Sequence, residues 1–139
     1  MDTVKLIFAN APFVQYLGVE YLAAGDGWCT TRLYIHPVHQ QQHGYVHAGV
    51  LVTLADHTCG GAAASSVESG SDVITVENKM SFMRPVVGFE LWCQAKVLRS
   101  GNRLIFTEAE VLFGPESSRQ LAAKMSSTLA VIAKRLGPL

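Results

Sequence analysis

The chain has 139 residues, of which 49% are hydrophobic and 16% charged, and its 11 basic and 11 acidic residues give a formal net charge of zero. This length predicts one domain, spanning residues 1–139, and the composition excludes intrinsic disorder. A neutral chain has no broad positive field for phosphate backbones, and no apolar run reaches the roughly 18 residues of a membrane span, so neither nucleic acid nor a membrane is an expected partner.

The start of the chain and its cysteines both favour a reduced, cytoplasmic setting. The first five residues are mixed in charge and lead into no secretory hydrophobic segment. The cysteines (Cys29, Cys59 and Cys93) are three in number and form no CxxC motif, which disfavours a disulfide scaffold and a zinc site. The low charge also favours a homo-oligomer in which a second copy covers apolar surface.

The first third of the chain predicts a helical segment followed by a hairpin. Residues 3–17 read as one short helical segment, broken near Pro12. Two strand-prone runs, 19–24 and 28–35, flank Gly25-Asp26-Gly27, and an Asp-Gly turn between such runs is a strong hairpin signal. Residues 36–46 show neither helical nor strand periodicity and are predicted to form a loop.

The remainder predicts one long helix and four strands. From His47 to about Val67 the residues are small and apolar around the whole helical wheel, which is typical of a helix surrounded by protein. The four strands are expected to form a meander, and they are predicted at residues 74–82, 89–99, 103–113 and 119–133. This order predicts an α+β domain with one helix packed in an antiparallel sheet.

Asp56 stands out within the predicted helix. It is the only acidic residue between Gly27 and Val67, and its neighbours four residues away are Val52 and Gly60. A structural explanation would be a helix-surface acid satisfied by a nearby hydroxyl, but burying an unpaired charge is costly and is seldom retained for stability alone. We therefore interpret Asp56 as a candidate general base or nucleophile.

The start of the same helix offers a second chemical group. The backbone N–H groups of Ala48 and Gly49 are expected to be unpaired there, and such groups can polarise a carbonyl oxygen. Ala48 and Asp56 are eight residues apart, which corresponds to roughly 12 Å along a helix. They cannot touch the same carbonyl within one chain, so cooperation between them would require two copies of the chain.

The motif in this region resembles that of hotdog-fold acyl-CoA thioesterases of the phenylacetic-acid-degradation type. In that family Asn-x-x-Gly-x-x-His-Gly-Gly is followed by an acidic residue nine positions after the His. Here the corresponding residues are Gln41, Gly44, His47-Ala48-Gly49 and Asp56. The resemblance covers nearly the whole chain and includes Thr75 and the stretch KMSFMRP at 79–85.

The resemblance implies a hotdog fold, in which a curved antiparallel sheet wraps a long central helix, and a dimer or dimer of dimers with sites at the interface. By position, Asp56 would activate water or attack an acyl-CoA thioester, the Ala48 amide backed by Gly49 would hold the carbonyl oxygen, and Gln41 would orient water or substrate. His47 would brace the loop and Thr75 would contact the site. Neither a metal nor a cofactor is implied. Gln41 and Ala48 replace the family's Asn and Gly, which lengthens one side chain and adds one methyl.

Competing sites are weaker. Four histidines lie at positions 36, 39, 43 and 47, but no Cys or carboxylate completes a known metal-ligand spacing with them. Hydrogen bonding in the loop or at an interface is the favoured role for these histidines. His57 points about 100° away from Asp56 around the helix, and Cys59 reads as a packed core thiol. Scattered cations could meet the phosphates of coenzyme A, but they more often belong to a solvated face; they are Lys79, Arg84, Arg99, Arg103 and Lys124.

Two other functions remain open from the sequence. The two departures from the motif suggest a non-catalytic acyl-CoA-binding hotdog module, which turnover on an acyl-CoA panel would separate from an enzyme. A hotdog dehydratase would pair an acidic residue with a catalytic His, and no such motif stands beside Asp56.

Overall fold

The computed structural model describes residues 2–133, so residue 1 and residues 134–139 of the predicted domain lie outside it. The helices are α1 (Thr3–Ala9), α2 (Pro12–Leu17) and α3 (Ala48–Ala64), and the strands are β1 (Val19–Gly25), β2 (Trp28–Tyr34), β3 (Asp72–Phe82), β4 (Glu90–Ser100), β5 (Leu104–Phe113) and β6 (Gln120–Ile132). Short 3-10 turns lie at Pro37–His39 and Glu116–Ser118. The predicted helices and strands are confirmed, including the strand at the end of the described chain.

The six strands form one antiparallel sheet in the order β1-β2-β4-β5-β6-β3. The prediction of a four-strand meander is wrong in one respect, because β3 lies at the edge beside β6 and does not pair with β4. Residues 83–89 carry the chain across the end of the sheet, where Met83 donates to the Ala122 carbonyl of β6 and Ile35, just after β2, donates to the Phe89 carbonyl. Local sequence cannot encode this crossing.

The hairpin of β1 and β2 confirms the predicted turn. Gly25 pairs with Trp28, which leaves Asp26 and Gly27 as the two turn residues. Both have positive φ, 46° and 88°, as a two-residue turn matched to the strand twist requires. The hairpin extends the sheet along one side of α3.

Helix α3 packs one face on the concave side of the sheet. Its buried face includes Leu51, Leu54, Thr58 and Ala62. Residues 2–133 do not fully cover the opposite side, where a stripe at residues 49, 52, 53, 56 and 60, here called the uncovered stripe, is exposed or half-buried. Within residues 2–133 the helix is therefore enclosed on one face only, with β3 reaching the stripe at Asp56, and the expectation that protein surrounds the helix on all sides stays a prediction about the assembled protein.

Candidate active site

Asp56 is half-buried in the middle of α3, at the edge of the uncovered stripe. Its Oδ1 accepts two hydrogen bonds from β3, one from Thr75 Oγ1 at 2.8 Å and one from Asn78 Nδ2 at 3.0 Å. Oδ2 has no hydrogen-bond partner among residues 2–133. The carboxylate is thus anchored through one oxygen, while the other retains its lone pairs for a proton or an electrophile.

A β-bulge in β3 is the reason that two residues an odd number apart both reach Asp56. Thr75 pairs with Leu129, and Glu77 pairs with the adjacent Thr128, so Val76 is the extra residue. Side chains alternate across a strand, so without the bulge Thr75 and Asn78 would face opposite ways. The positions that face α3 therefore change from odd to even numbers across the bulge.

A small cavity of about 230 Å³ adjoins Asp56. Its walls combine apolar side chains with two titratable neighbours; the residues lining it with Asp56 are Ile7, His57, Gly60, Asp72, Val73, Thr75 and Leu129. The His57 ring packs edge-on against Phe8, with the centroids 4.4 Å apart. Burial lowers the pKa of His57, and the nearby Asp56 charge only partly opposes this. His57 is thus held toward its neutral form.

The side chain of His47, which is expected to brace the loop, caps the start of α3. His47 Nδ1 accepts the Gly49 N–H at 2.8 Å. The expectation that the Gly49 amide is unpaired is therefore wrong, because the N-cap ring occupies it. The Ala48 N–H has no hydrogen-bond partner among the described residues, and Ala48 is exposed, so one free backbone donor remains at this helix end.

Gln41 sits in a tight turn of the loop before α3. Its backbone N–H donates to the Tyr45 carbonyl, and its carbonyl accepts from Gly44, whose φ is 83°. The side-chain Oε1 accepts from the His43 N–H. With that oxygen engaged, the Gln41 amide has N–H donors left to offer.

Gln41, His47 and Ala48 line a cleft of about 450 Å³ together with residues 82–86. Asp56 and Thr75 line the other cavity, and none of their side chains reaches the first cleft. Since Ala48 and Asp56 are separated by two turns of helix, or about 12 Å, one chain supplies both halves of the predicted site without bringing them together.

The loop histidines hold the loop in place. His39 is buried, with its Nδ1 accepting the His36 N–H at 2.9 Å and its Nε2 lying 2.7 Å from the Leu17 carbonyl. Within residues 2–133 no three His, Cys, Asp or Glu side chains are grouped so as to hold a metal ion.

Cys59 is fully buried in the core, and burial raises the pKa of its thiol to about 12. A thiol with so high a pKa is protonated at neutral pH and is a poor nucleophile. The interpretation of Cys59 as a packed core thiol agrees with this environment.

Sequence reasoning missed Asn78 and Ser127. Asn78 Oδ1 accepts from Ser127 Oγ on β6 at 2.7 Å, directly across the strand pair. An Asn in a strand-like run is only a weak indication that its side chain bonds to a buried residue. Whether that side chain turns toward α3 depends on the bulge, which the local pattern does not reveal.

No helix of the described chain is long and apolar enough to cross a membrane.

Comparison with known proteins places these features in a family. The family described as "Thioesterase superfamily" matches residues 43–115, which include the end of the loop before α3, α3 itself and β3–β5. A thioesterase family protein from Silicibacter pomeroyi is 30% identical, with a TM-score of 0.89 over 93% of this chain and 95% of that chain. The PaaI protein of E. coli, from the phenylacetic acid degradation operon, has the same fold at 19% identity, with a TM-score of 0.82 over 91% and 88% of the two chains. A 1,4-dihydroxy-2-naphthoyl-CoA hydrolase from Listeria monocytogenes is 24% identical over 121 residues, which are 87% of this chain and 96% of that protein.

Proposed function

This chain belongs to the thioesterase superfamily and is a thioester hydrolase of the hotdog fold, and we propose that it hydrolyses acyl-CoA thioesters with Asp56 as general base or nucleophile, at a site shared by two copies of the chain. The observation that carries the proposal is the carboxylate held through Oδ1 alone, beside a cavity, on a helix face that the chain's own sheet leaves uncovered.

In this mechanism water attacks the thioester carbonyl carbon while Asp56 Oδ2 takes its proton. The carbonyl oxygen becomes an oxyanion, and the free Ala48 N–H of the second copy donates to it. The carbon–sulfur bond then breaks, and the leaving thiolate recovers the proton from Asp56. The products are a carboxylic acid and coenzyme A. In the alternative, Oδ2 attacks the carbonyl carbon itself and expels the coenzyme A thiolate; water then hydrolyses the acyl–aspartyl anhydride, which releases the carboxylic acid, returns the Asp56 carboxylate and supplies the proton to the thiolate.

The roles of the remaining residues follow from their positions. Gln41 lines the cleft beside Ala48, and its free N–H donors suit the orientation of water or of the thioester. His47 supports the site indirectly, because its Nδ1 fixes the first turn of α3 and leaves the preceding amide available. Gly49 shapes this turn and is not a donor to substrate.

Two features of the single chain support a dimer. The edge strand β3 is 11 residues long and pairs only with β6 among the described residues, and long open edges tend to pair with another strand. The uncovered stripe of α3 lies beside that edge. When a twofold axis relates two antiparallel helices and passes beside Val52 of each, residue 48 of one copy lies opposite residue 56 of the other, because Val52 is midway between them. Val52 lies on the uncovered stripe, so such an axis would bring Ala48 to Asp56 of the second copy.

The non-catalytic alternative is tested by turnover. We expect the protein to release free thiol from at least one member of a panel of acyl- and aryl-CoA thioesters. Asp56→Asn is expected to keep the fold and lower kcat by at least about a hundredfold, the scale of losing a catalytic base.

The matched control for that variant is Asp26→Asn, which makes the same change of charge at the exposed hairpin turn and should leave kcat unchanged. Full activity of Asp56→Asn on a good substrate would remove Asp56 from the mechanism. No hydrolysis of any thioester by the wild-type protein, with acyl-CoA still bound, would favour the binding module.

A further inference from the structure

Asp56 is connected through β3 to the neighbouring strand β6 by two successive side-chain hydrogen bonds. Asn78 Nδ2 donates to Asp56 Oδ1, and Asn78 Oδ1 accepts from Ser127 Oγ. Ser127 lies on β6 opposite Asn78 and is 3% exposed, so its hydroxyl is screened from water. We propose that Asn78 and Ser127 are positioning residues for the acid, which set the orientation of the Asp56 carboxylate and leave Oδ2 as its reacting oxygen; this rests on the catalytic role of Asp56 proposed above.

The orientation of the Asn78 amide decides which of its atoms faces Asp56. An amide that has turned over would direct its oxygen at Asp56 Oδ1, and two acceptors would face each other. The carboxylate, which only accepts, therefore selects the orientation with Nδ2 toward Asp56, and the Ser127 hydroxyl donates to the remaining Oδ1 and holds the amide in that plane. Ser127 therefore acts on Asp56 only through Asn78, and it touches neither substrate nor the reacting oxygen.

The Asp56 carboxylate is held by two donors on the same oxygen. Oδ1 accepts from Thr75 and Asn78, whose donors come from either side of the bulge at Val76. One hydrogen bond leaves a carboxylate free to swing about its side-chain torsion, whereas two donors from a single strand fix its plane. Small errors in the placement of a reacting group can cost large factors in rate.

Ser127 is itself held by a buried hydroxyl on β5. Its backbone carbonyl accepts from Thr107 Oγ1 on β5 at 3.2 Å, and Thr107 is 1% exposed. Thr107 thus offers a buried hydroxyl on the next strand that contacts the Ser127 backbone and the Cys59 thiol but neither Asn78 nor Asp56. It provides a matched control for the loss of a buried hydroxyl without loss of the connection to Asp56.

The experiment compares kcat, KM and the thermal midpoint of four variants with those of the wild-type protein. Asn78→Leu should lower kcat by about tenfold or more, since it removes a donor to Oδ1. Ser127→Ala should lower kcat by about fivefold, the effect of one hydrogen bond, with KM unchanged. Ser127→Thr retains the hydroxyl and should restore kcat, and Thr107→Val should keep wild-type kcat while its midpoint falls as much as that of Ser127→Ala.

The outcomes separate this inference from the proposed function. If Asn78→Leu and Ser127→Ala keep wild-type kcat while Asp56→Asn is inactive, the positioning role is overturned and the role of Asp56 stands. If Ser127→Ala and Thr107→Val lose kcat equally, Ser127 is merely structural and the inference is again overturned. If Asp56→Asn is itself active, the proposed mechanism fails, whatever the other variants do.

Discussion

The side chains around Asp56 have distinct environments although they are close together. Asp56 accepts two hydrogen bonds and keeps one oxygen free, whereas the adjacent His57 is turned into an apolar contact with Phe8. The buried Nε2 of His57 has no hydrogen-bond partner among the described residues. The acid and the imidazole therefore do not form a catalytic pair in this chain, in keeping with their separation of about 100° around the helix.

His57 should make stability dependent on pH. Burial lowers its folded pKa below the ordinary value of 6.5, so the unfolded chain binds a proton more readily. Stability from the neutral ring is fully present above about pH 6.5 and is lost as the pH falls toward the folded pKa. We expect the free energy of unfolding to decline over this range in the wild-type protein.

The comparison variant is His57→Phe, which keeps an aromatic ring against Phe8 and has no group to titrate. Its free energy of unfolding, measured by denaturant titration at each pH, should change less between pH 6.5 and pH 5. Identical slopes for the two proteins would show that His57 is not the buried group responsible.

Residues differ in how far the sequence could reveal them. Asp56 could be singled out as a candidate because a lone acidic residue in a helix of small apolar residues is conspicuous in the sequence, and its catalytic role stays a prediction. Asn78 could not, because its direction is set by the extra residue at Val76, and a bulge leaves no mark on the local pattern. The Gly49 amide was misjudged for a related reason, since capping by His47 depends on the ring orientation.

At the scale of elements, the fit of α3 against the sheet and α1 depends on one close approach. A β carbon added at Gly61 would lie 2.8 Å from Cys29 Sγ, 3.1 Å from Phe8 and 3.2 Å from Val4. Cys29 belongs to β2, and the other two contacts belong to α1. Glycine therefore lets the helix pack against a strand and a second helix at the same point.

Gly61→Ala should lower the free energy of unfolding by about 1–3 kcal/mol, because an added methyl overpacks the core. Gly60→Ala is the matched control, since a β carbon there meets nothing within 4 Å in the chain and alanine favours helix. Both are measured by denaturant unfolding at one protein concentration. Equal losses in the two variants would contradict the packing described here.

The types of element were predictable because hydrophobic periodicity and turn residues are local signals. Strand order was not, because the placement of β3 beside β6 depends on residues 83–89 crossing the end of the sheet. That crossing leaves β3 as an edge and also places residues 82–86 beside Ala48 in the larger cleft. The single error in topology thus concerns the strand that matters most for the proposed site.

At the scale of the whole molecule, the two halves of the proposed site face different cavities in one chain. The free Ala48 amide and Gln41 line one, and Asp56 lines the other. The edge strand β3 also carries exposed apolar residues, among them Ile74 and Val76. These features together favour a second copy that pairs along β3 and completes both sites.

Two inactive variants mixed in one dimer test this account most directly. Asp56→Asn removes the acid, and Ala48→Pro removes the amide hydrogen. Proline suits the first helical position, and the extended backbone of His47 (φ −61°, ψ 138°) is compatible with a following proline. Ala48→Ser keeps the amide and should remain active.

The two inactive chains are co-expressed with different tags, and the doubly tagged species is assayed on the best acyl-CoA substrate. If each site takes its acid from one copy and its amide from the other, random pairing restores about a quarter of wild-type activity in the unfractionated mixture and half in the purified heterodimer. Absence of activity in a folded heterodimer would contradict the shared site.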